Sequence, residues 1–207
     1  MVRRGNSQEN GLAPAAEYVK LEKRLTLLAW LNSLFGYRKN RELLADAKKA
    51  QEGFDPFGQS YVRHILVGLG DKVRIPAPDL GRYDDNIRSH LAAINGHRAQ
   101  PITLRYFQYL ALLYTEIFLD WRCNRPGELL RVLNEFVYDR NARRPAGDPA
   151  HPDFTDEDLN KLAYWMATGS GKTLILHFNY RQFLHYNRKA LDNILLITPY
   201  LFSVSTG

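Results

Sequence analysis

Apolar residues recur at the spacing of an α-helix along the front part of the chain. Leu21, Leu25, Leu28, Leu31 and Phe35 stand three or four residues apart, so a 3.6-residue period brings them to one face. The same spacing joins a second stripe, formed by Tyr106, Leu110, Leu113, Ile117 and Trp121. We therefore expect two apolar helices. The second is apolar over so much of its surface that it should be buried.

Helices of lower apolar content are expected before and after the second stripe. The pattern predicts helices over 41–52 and 85–94, and another that begins at Pro126, since proline is tolerated in the first turn of a helix. Residues 59–67 fit a helix or a strand equally well. Residues 68–83 contain several glycines and prolines, which predicts a loop.

Changes in composition divide the chain into four parts. Residues 1–17 are polar and contain glycine and proline, which is typical of a disordered N-terminus. The predicted helices make 18–140 a helical N-terminal region. Prolines, a glycine and charged side chains then gather in 141–154, which we interpret as a linker. Residues 155–207 follow as a separate C-terminal domain.

The C-terminal domain has the order strand, glycine-rich turn, helix, strand. A short apolar run at 161–166 suits a buried strand, and helical spacing extends from Leu174 to about Tyr186. A second apolar run at 193–198 ends before Pro199, as expected for a parallel strand covered on both faces. The predicted fold class is therefore α/β, with a mostly helical N-terminal region followed by an incomplete βαβ unit.

The glycine-rich turn carries the candidate chemistry. Gly169 and Gly171 permit positive φ and let backbone N–H groups approach a phosphate closely, and the following helix aims its positive dipole end at the same place. The Lys172 cation is a candidate to contact the β- and γ-phosphate oxygens of ATP, and the Thr173 hydroxyl is a candidate ligand of Mg²⁺. The candidate phosphate-binding residues are Ala167, Thr168, Gly169, Ser170, Gly171, Lys172 and Thr173. We expect ATP and Mg²⁺ as cofactors. Met166 stands where the strict pattern has a first glycine, so a chance glycine turn before a helix is the alternative.

Composition and charge add limits on partners and location. The net charge of +6 permits a polyanionic partner without requiring one. Cys123 is the single cysteine and excludes an internal disulfide, which favours a reducing, cytoplasmic setting. No apolar run approaches the length of a bilayer span, so we expect no membrane association.

The residues around the turn resemble those of a known family. Residues 165–173, Trp-Met-Ala-Thr-Gly-Ser-Gly-Lys-Thr, resemble the first ATPase motif of superfamily-two DEAD/DEAH-box helicases, above all the ATPase subunit of type III restriction enzymes. An Ala-Thr-Gly-x-Gly-Lys-Thr loop is ordinary there. The resemblance implies that 155–207 is a truncated P-loop, RecA-like ATP-binding domain. It also implies a DNA partner, duplex in the first instance, and a methyltransferase or specificity subunit as a further candidate partner.

The same resemblance assigns roles to two residues outside the turn. Leu-Arg-Tyr-Phe-Gln at 104–108 is similar to the segment in which these helicases read the adenine edge with a glutamine, here Gln108. A satisfied core amide is an equally good interpretation of Gln108. The strand and Thr-Pro pair at 194–199 are similar to a motif that touches the nucleic-acid backbone, which makes Thr198 a candidate contact. Thr198 at a plain strand end is the alternative.

The chain departs from the family at its C-terminal end. Relatives need an acidic Asp-Glu pair on a later strand and arginine fingers from a second motor domain. Asp192 is the last acidic residue of this sequence. We therefore expect a truncated motor that is not catalytically complete, assign no catalytic residue, and leave open whether the chain is an enzyme.

Other functions stay open at this point. One is a different P-loop ATPase, and another is a non-catalytic DNA- or partner-binding protein made by the helical region 18–140. Arg140, Arg143 and Arg144 could contact DNA phosphates, although the sequence favours a solvated linker at this place. Asp84, beside a second aspartate, is expected in a solvated loop.

Overall fold

The structure, a computed structural model, describes residues 21–189, and within this range the chain is built from helices. Eight α-helices follow one another: α1 (Leu21–Arg24), α2 (Thr26–Ser33), α3 (Asn40–Ala47), α4 (Tyr61–Val67), α5 (Ala77–Asn95), α6 (Tyr106–Asn124), α7 (Pro126–Ala142) and α8 (Lys172–Tyr186). Short 3₁₀ turns lie at Gly70–Lys72 and Asp158–Asn160. The predicted disordered segment 1–17 lies outside the described residues.

The predicted α/β fold with a RecA-like βαβ unit is wrong for the described residues. They contain no sheet, and their one β-type pairing is an isolated bridge between Phe54 and Ser60. The predicted strand 161–166 has no regular secondary structure and forms no ladder, and the predicted strand 193–198 lies outside the described residues. A short apolar run fits a buried strand and an extended segment packed on a helix equally well, and periodicity cannot separate them.

The segment 161–166 packs against α6 instead of against a strand. Leu162 and Met166 are partly buried against the helical core. The hydroxyls of Tyr164 and Thr115 lie 2.6 Å apart, which ties the segment to the middle of α6. Trp165, the neighbour of Tyr164, is 82% exposed.

Helix α6 is the centre of the core, as its apolar stripe predicts. Leu112, Leu113 and Ile117 are fully buried. Helices α3, α4, α5, α7 and α8 all pack against it, and α2 packs against α3 and α7. The aromatic rings of Phe35 and Tyr114 stack with centroids 6.1 Å apart, which joins the end of α2 to α6. The elements that hold the candidate turn are therefore fixed to one common helix.

The structure decides or corrects several of the sequence predictions. Within the ambiguous stretch 59–67, residues 61–67 form the helix α4. The Ser60 hydroxyl caps it by accepting a hydrogen bond from the Val62 amide at 3.2 Å. The loop predicted over 68–83 is wrong in its second half, since α5 begins at Ala77. Pro78 lies in the first turn of α5, where proline removes no helical hydrogen bond.

None of the helices between residues 21 and 189 has both the length and the apolar character that a bilayer crossing requires.

Candidate functional site

The glycine-rich turn leads directly into α8. The Ala167 carbonyl accepts hydrogen bonds from the Ser170 amide at 3.3 Å and from the Ser170 hydroxyl at 2.6 Å, which closes a tight turn. Gly169 has φ of +75° and Gly171 has φ of +89°, and the helix begins at the next residue, Lys172. The local order of turn and helix is the one that the sequence predicts.

The two glycines are required for different reasons. Both adopt positive φ, a region that residues with a Cβ rarely enter. A Cβ at Gly169 would have open space around it, so only the backbone conformation demands glycine there. A Cβ at Gly171 would in addition lie 2.7 Å from the side-chain nitrogen of Gln108, too close for any real contact. Gly171 is therefore required by its positive φ, and a Cβ there would in addition displace the Gln108 side-chain amide.

The start of α8 presents unpaired donors. In an α-helix the first amides have no carbonyl one turn earlier, and here the first such bond runs from the Ile175 amide to the Gly171 carbonyl at 3.0 Å. The amides of Lys172, Thr173 and Leu174 therefore lack a helical acceptor. The side chains of Lys172 and Thr173 are exposed, and Lys172 has no carboxylate partner within 21–189. The arrangement favours an anion at this helix end.

Gln108 contacts the turn although 62 residues separate it from Ser170. Its side-chain oxygen accepts a hydrogen bond from the Arg105 amide at 3.0 Å, and its side-chain nitrogen donates one to the Ser170 carbonyl at 3.1 Å. The side chain is buried. The fold thus joins two separately predicted site residues, and the glutamine holds the turn against the first turn of α6. Its contact with adenine stays a prediction.

A buried carboxylate holds the other end of α8. Glu116 of α6 is fully buried and accepts hydrogen bonds from Gln182 at 2.8 Å, from the Tyr186 hydroxyl at 2.6 Å and from Asn86 of α5 at 3.0 Å. Burial raises the pKa of Glu116, and the three donors oppose that shift. Glu116 fixes α8 on α5 and α6, so the position of the turn depends on it.

Two further carboxylates tie α5 to its neighbours. Asp84, expected in a solvated loop, is buried in α5 and accepts hydrogen bonds from the Tyr109 hydroxyl and from Arg63, the latter at 3.1 Å. Asp120 accepts hydrogen bonds from the Tyr83 hydroxyl at 2.6 Å and from Arg82. The hydrogen bonds from Arg82 and Tyr83 hold the pKa of Asp120 below its usual range against the effect of burial. These hydrogen bonds hold α5 against its neighbours, and the sequence pattern gives no means to predict them.

The remaining predicted site residues are placed as follows. Thr173 is exposed at the start of α8, beside the unpaired amides. Within the described range no three histidine, cysteine, aspartate or glutamate residues form a group that could hold a metal ion. A Mg²⁺ ion at this place would therefore depend on nucleotide oxygens, Thr173 and water, as a hydrated ion permits. Thr198 lies outside the described residues.

The chain matches no protein-family profile, no curated protein and no solved structure among those with which it was compared.

Proposed function

We propose that the chain binds ATP with Mg²⁺ through the turn at 167–173 and belongs to a helicase-type motor that acts on DNA. One observation carries the proposal. Two glycines in the left-handed region lead straight into a 15-residue helix whose first amides lack a helical acceptor and whose first two residues, Lys172 and Thr173, are exposed. Exposed amides, a positive dipole end and a cation at one place are the features with which helix ends bind phosphate.

The turn supplies three kinds of contact to a triphosphate. The amides of Lys172, Thr173 and Leu174 donate to phosphate oxygens, and the Lys172 ammonium neutralises their charge. The Thr173 hydroxyl is the one protein ligand that the turn offers to a nucleotide-bound Mg²⁺ ion. Gln108 keeps the turn in shape through the Ser170 carbonyl.

The proposed activity of this chain is binding without turnover. Hydrolysis by motors of the resembled family needs an acidic pair on a strand that holds the metal and orients water, and within residues 21–189 there is neither a sheet nor a cluster of three or more histidine, cysteine, aspartate or glutamate residues that could hold a metal ion. With ATP and Mg²⁺, steady-state phosphate release by the chain should equal the release measured in buffer without protein. Release that Lys172→Ala abolishes would contradict this part of the proposal. A cytoplasmic location, which the single cysteine favours, belongs to the same proposal. So does a methyltransferase or specificity subunit as a partner, which the family likeness implies.

Nucleotide binding is tested by titrating the full chain with a fluorescent ATP analogue, with and without Mg²⁺. Lys172→Ala should weaken binding at least about tenfold, since a charge-assisted contact to phosphate contributes roughly 1.5–3 kcal/mol. Lys48→Ala, which removes an exposed lysine at the end of α3, is the matched control and should bind like the parent chain. Equal affinity of the Lys172 and Lys48 variants, or no saturable binding by the parent, would refute the proposal.

A second candidate is a non-catalytic helical protein that binds DNA or a partner. It is favoured by the core around α6, which is complete without any contribution from a bound nucleotide. DNA binding that neither ATP nor Lys172→Ala alters, together with absent nucleotide binding, would select this second function.

A further inference from the structure

A large cavity lies between α2, α6, the end of α7 and the segments 148–154 and 161–167. Its volume of about 1560 Å³ exceeds the range of roughly 300–1,000 Å³ that small-molecule pockets usually have. Its floor is formed by apolar side chains that pack against the core and stay only partly buried: Leu27, Leu28, Leu44, Ala111, Leu162 and Met166. The cavity therefore has the size and the character of a site for a polypeptide segment.

More exposed apolar side chains surround this floor. Trp165 is 82% exposed, and Leu21 and Tyr164 are each 37% exposed. The indole ring of Trp165 contributes little to the core in this position, although burial of its area would stabilise the fold. A monomeric protein rarely leaves a contiguous apolar surface of this kind uncovered, so an occupant is expected for this cavity.

The chain enters the described range at the wall of the cavity. Leu21 is the first described residue, and Leu21, Arg24 and Leu25 all line the cavity. Residues 1–20 are therefore attached covalently at the cavity itself, and a segment tethered so closely has an effective concentration on the order of millimolar. A free partner would need a similar concentration to compete with it.

The residues that precede this attachment point are mostly apolar. Residues 12–19 are Leu-Ala-Pro-Ala-Ala-Glu-Tyr-Val and contain one charged residue, Glu17, whereas residues 1–11 are mostly polar. Eight extended residues span about 26–29 Å, and a sphere with the volume of the cavity is about 14 Å across. The segment 12–19 is thus long enough to cross the cavity and apolar enough to cover its floor.

The single charge of this segment has a candidate partner at the cavity. A carboxylate that leaves water costs stability unless a cation pairs with it. Arg41 lines the cavity with an exposed side chain, and within residues 21–189 it has no carboxylate partner. Glu17 can therefore pair with Arg41 while the apolar neighbours of Glu17 cover the floor.

We infer that residues 12–19 dock in this cavity of the same chain and cover Trp165 together with the partly buried apolar floor. Ala167 and Ser170 line the cavity and also form the glycine-rich turn, so the docked segment lies beside that turn. The docking depends on apolar burial and on the tether, and it does not depend on the proposed nucleotide binding.

The test is acrylamide quenching of Trp165 in the full chain, obtained as the difference between each variant and the same variant with Trp165→Phe. Docking should protect a ring that is 82% exposed in the structure. Leu12→Ser with Val19→Ser should lower the docking equilibrium constant about 100-fold or more, since full burial of each side chain contributes roughly 1.5–3 kcal/mol. The dye ANS, which binds exposed apolar surface, should bind to this double variant and not to the parent chain.

The matched control is Val2→Ser, which removes an apolar side chain from the polar part of the N-terminal segment and should keep the parent's quenching. The helical core of residues 21–189 contains none of these three positions, so far-UV circular dichroism should be equal in all variants. Equal quenching of Trp165 in the parent chain and the double variant would overturn the inference. So would protection that disappears on dilution, because a second copy of the chain would then cover the cavity. Lys172→Ala should keep the protection, so loss of ATP binding and loss of docking are separate outcomes.

Discussion

The two ends of α8 are held in different ways. At the C-terminal end, Gln182 and Tyr186 are buried and bonded to Glu116, inside the packing of α5 and α6. At the N-terminal end the turn is exposed, and among the described residues Gln108 supplies its one side-chain tie to α6. Burial and hydrogen bonding therefore stabilise one end, while the other keeps its donors for solvent or a ligand. The difference predicts that changes at Glu116 act on global stability and changes at the turn act on local shape and binding.

The largest effect is expected at the buried end. Glu116→Ala removes the acceptor of the Tyr186 hydroxyl and one of the two acceptors of the Gln182 and Asn86 side-chain amides, at about 1–3 kcal/mol for each buried group left unsatisfied. We expect the free energy of unfolding in urea to fall by about 3 kcal/mol or more. Glu135→Ala, on the exposed face of α7, should change it by less than about 0.5 kcal/mol. A loss at Glu116 as small as that at Glu135 would show that the buried bonds do not hold α8.

The next effect concerns the turn. Gly171→Ala places a Cβ at positive φ and 2.7 Å from the Gln108 nitrogen, and we expect a loss of stability of roughly 1–2 kcal/mol together with weaker ATP binding. Combining it with Gln108→Ala removes the close contact, so the two losses should not add in a double-mutant cycle. Gly127→Ala in α7, where a Cβ meets nothing, should be neutral or stabilising. Additive losses at 171 and 108 would mean that the two residues are independent.

The stability of the helical core is expected to depend on pH through His90 of α5. Burial lowers the pKa of His90 in α5 to about 4, and the charges of His185 and Arg181 act in the same direction. The folded chain then binds fewer protons than the unfolded chain between about pH 6.5 and 4, so stability should fall as the pH falls through that window. Because the ring is partly exposed, we expect a loss of only about 1 kcal/mol. Urea unfolding of His90→Phe should show a flatter dependence of stability on pH in that window than unfolding of the parent chain, and an equally steep dependence would contradict the prediction.

The smallest effect is expected in the segment 161–167, which packs against α6. Tyr164→Phe removes the bond between the hydroxyls of Tyr164 and Thr115, and about 1 kcal/mol is the usual contribution of such a bond. Hydrogen exchange of the amides in 161–167 should become faster, while exchange within α6 should stay as slow as in the parent chain. Faster exchange in both places would mean that the segment is part of the core.

The sequence predicts the helices better than it predicts the fold class. The apolar stripe of α6 is periodic over several turns, so it identifies a buried helix without knowledge of its neighbours. The runs at 161–166 and 193–198 are too short for periodicity to distinguish a strand from another extended segment, and a strand also needs a partner that the pattern does not name. Ala77 and Pro78 were expected in a loop because proline and glycine suggest one, yet the first turn of a helix accepts proline.

The candidate site is predictable where it is local. The turn and the start of α8 depend on neighbouring residues, and both follow from the order of glycines, lysine and threonine. The contact of Gln108 with Ser170 spans 62 residues, and the family likeness suggested the residue without its hydrogen-bond partner. Glu116 and Asp84 were not recognisable as buried ties, because a carboxylate is usually exposed and only tertiary packing supplies its donors.

The double hydrogen bond of Gln108 has a consequence for kinetics. Its amide holds the start of α6 with one atom and the Ser170 carbonyl with the other, so the turn loses its conformational entropy when the chain folds. An anion that arrives later meets a preorganised receptor and does not have to order the backbone. Its association rate is then set by diffusion and charge, and differences in affinity among anions should be found in their residence times.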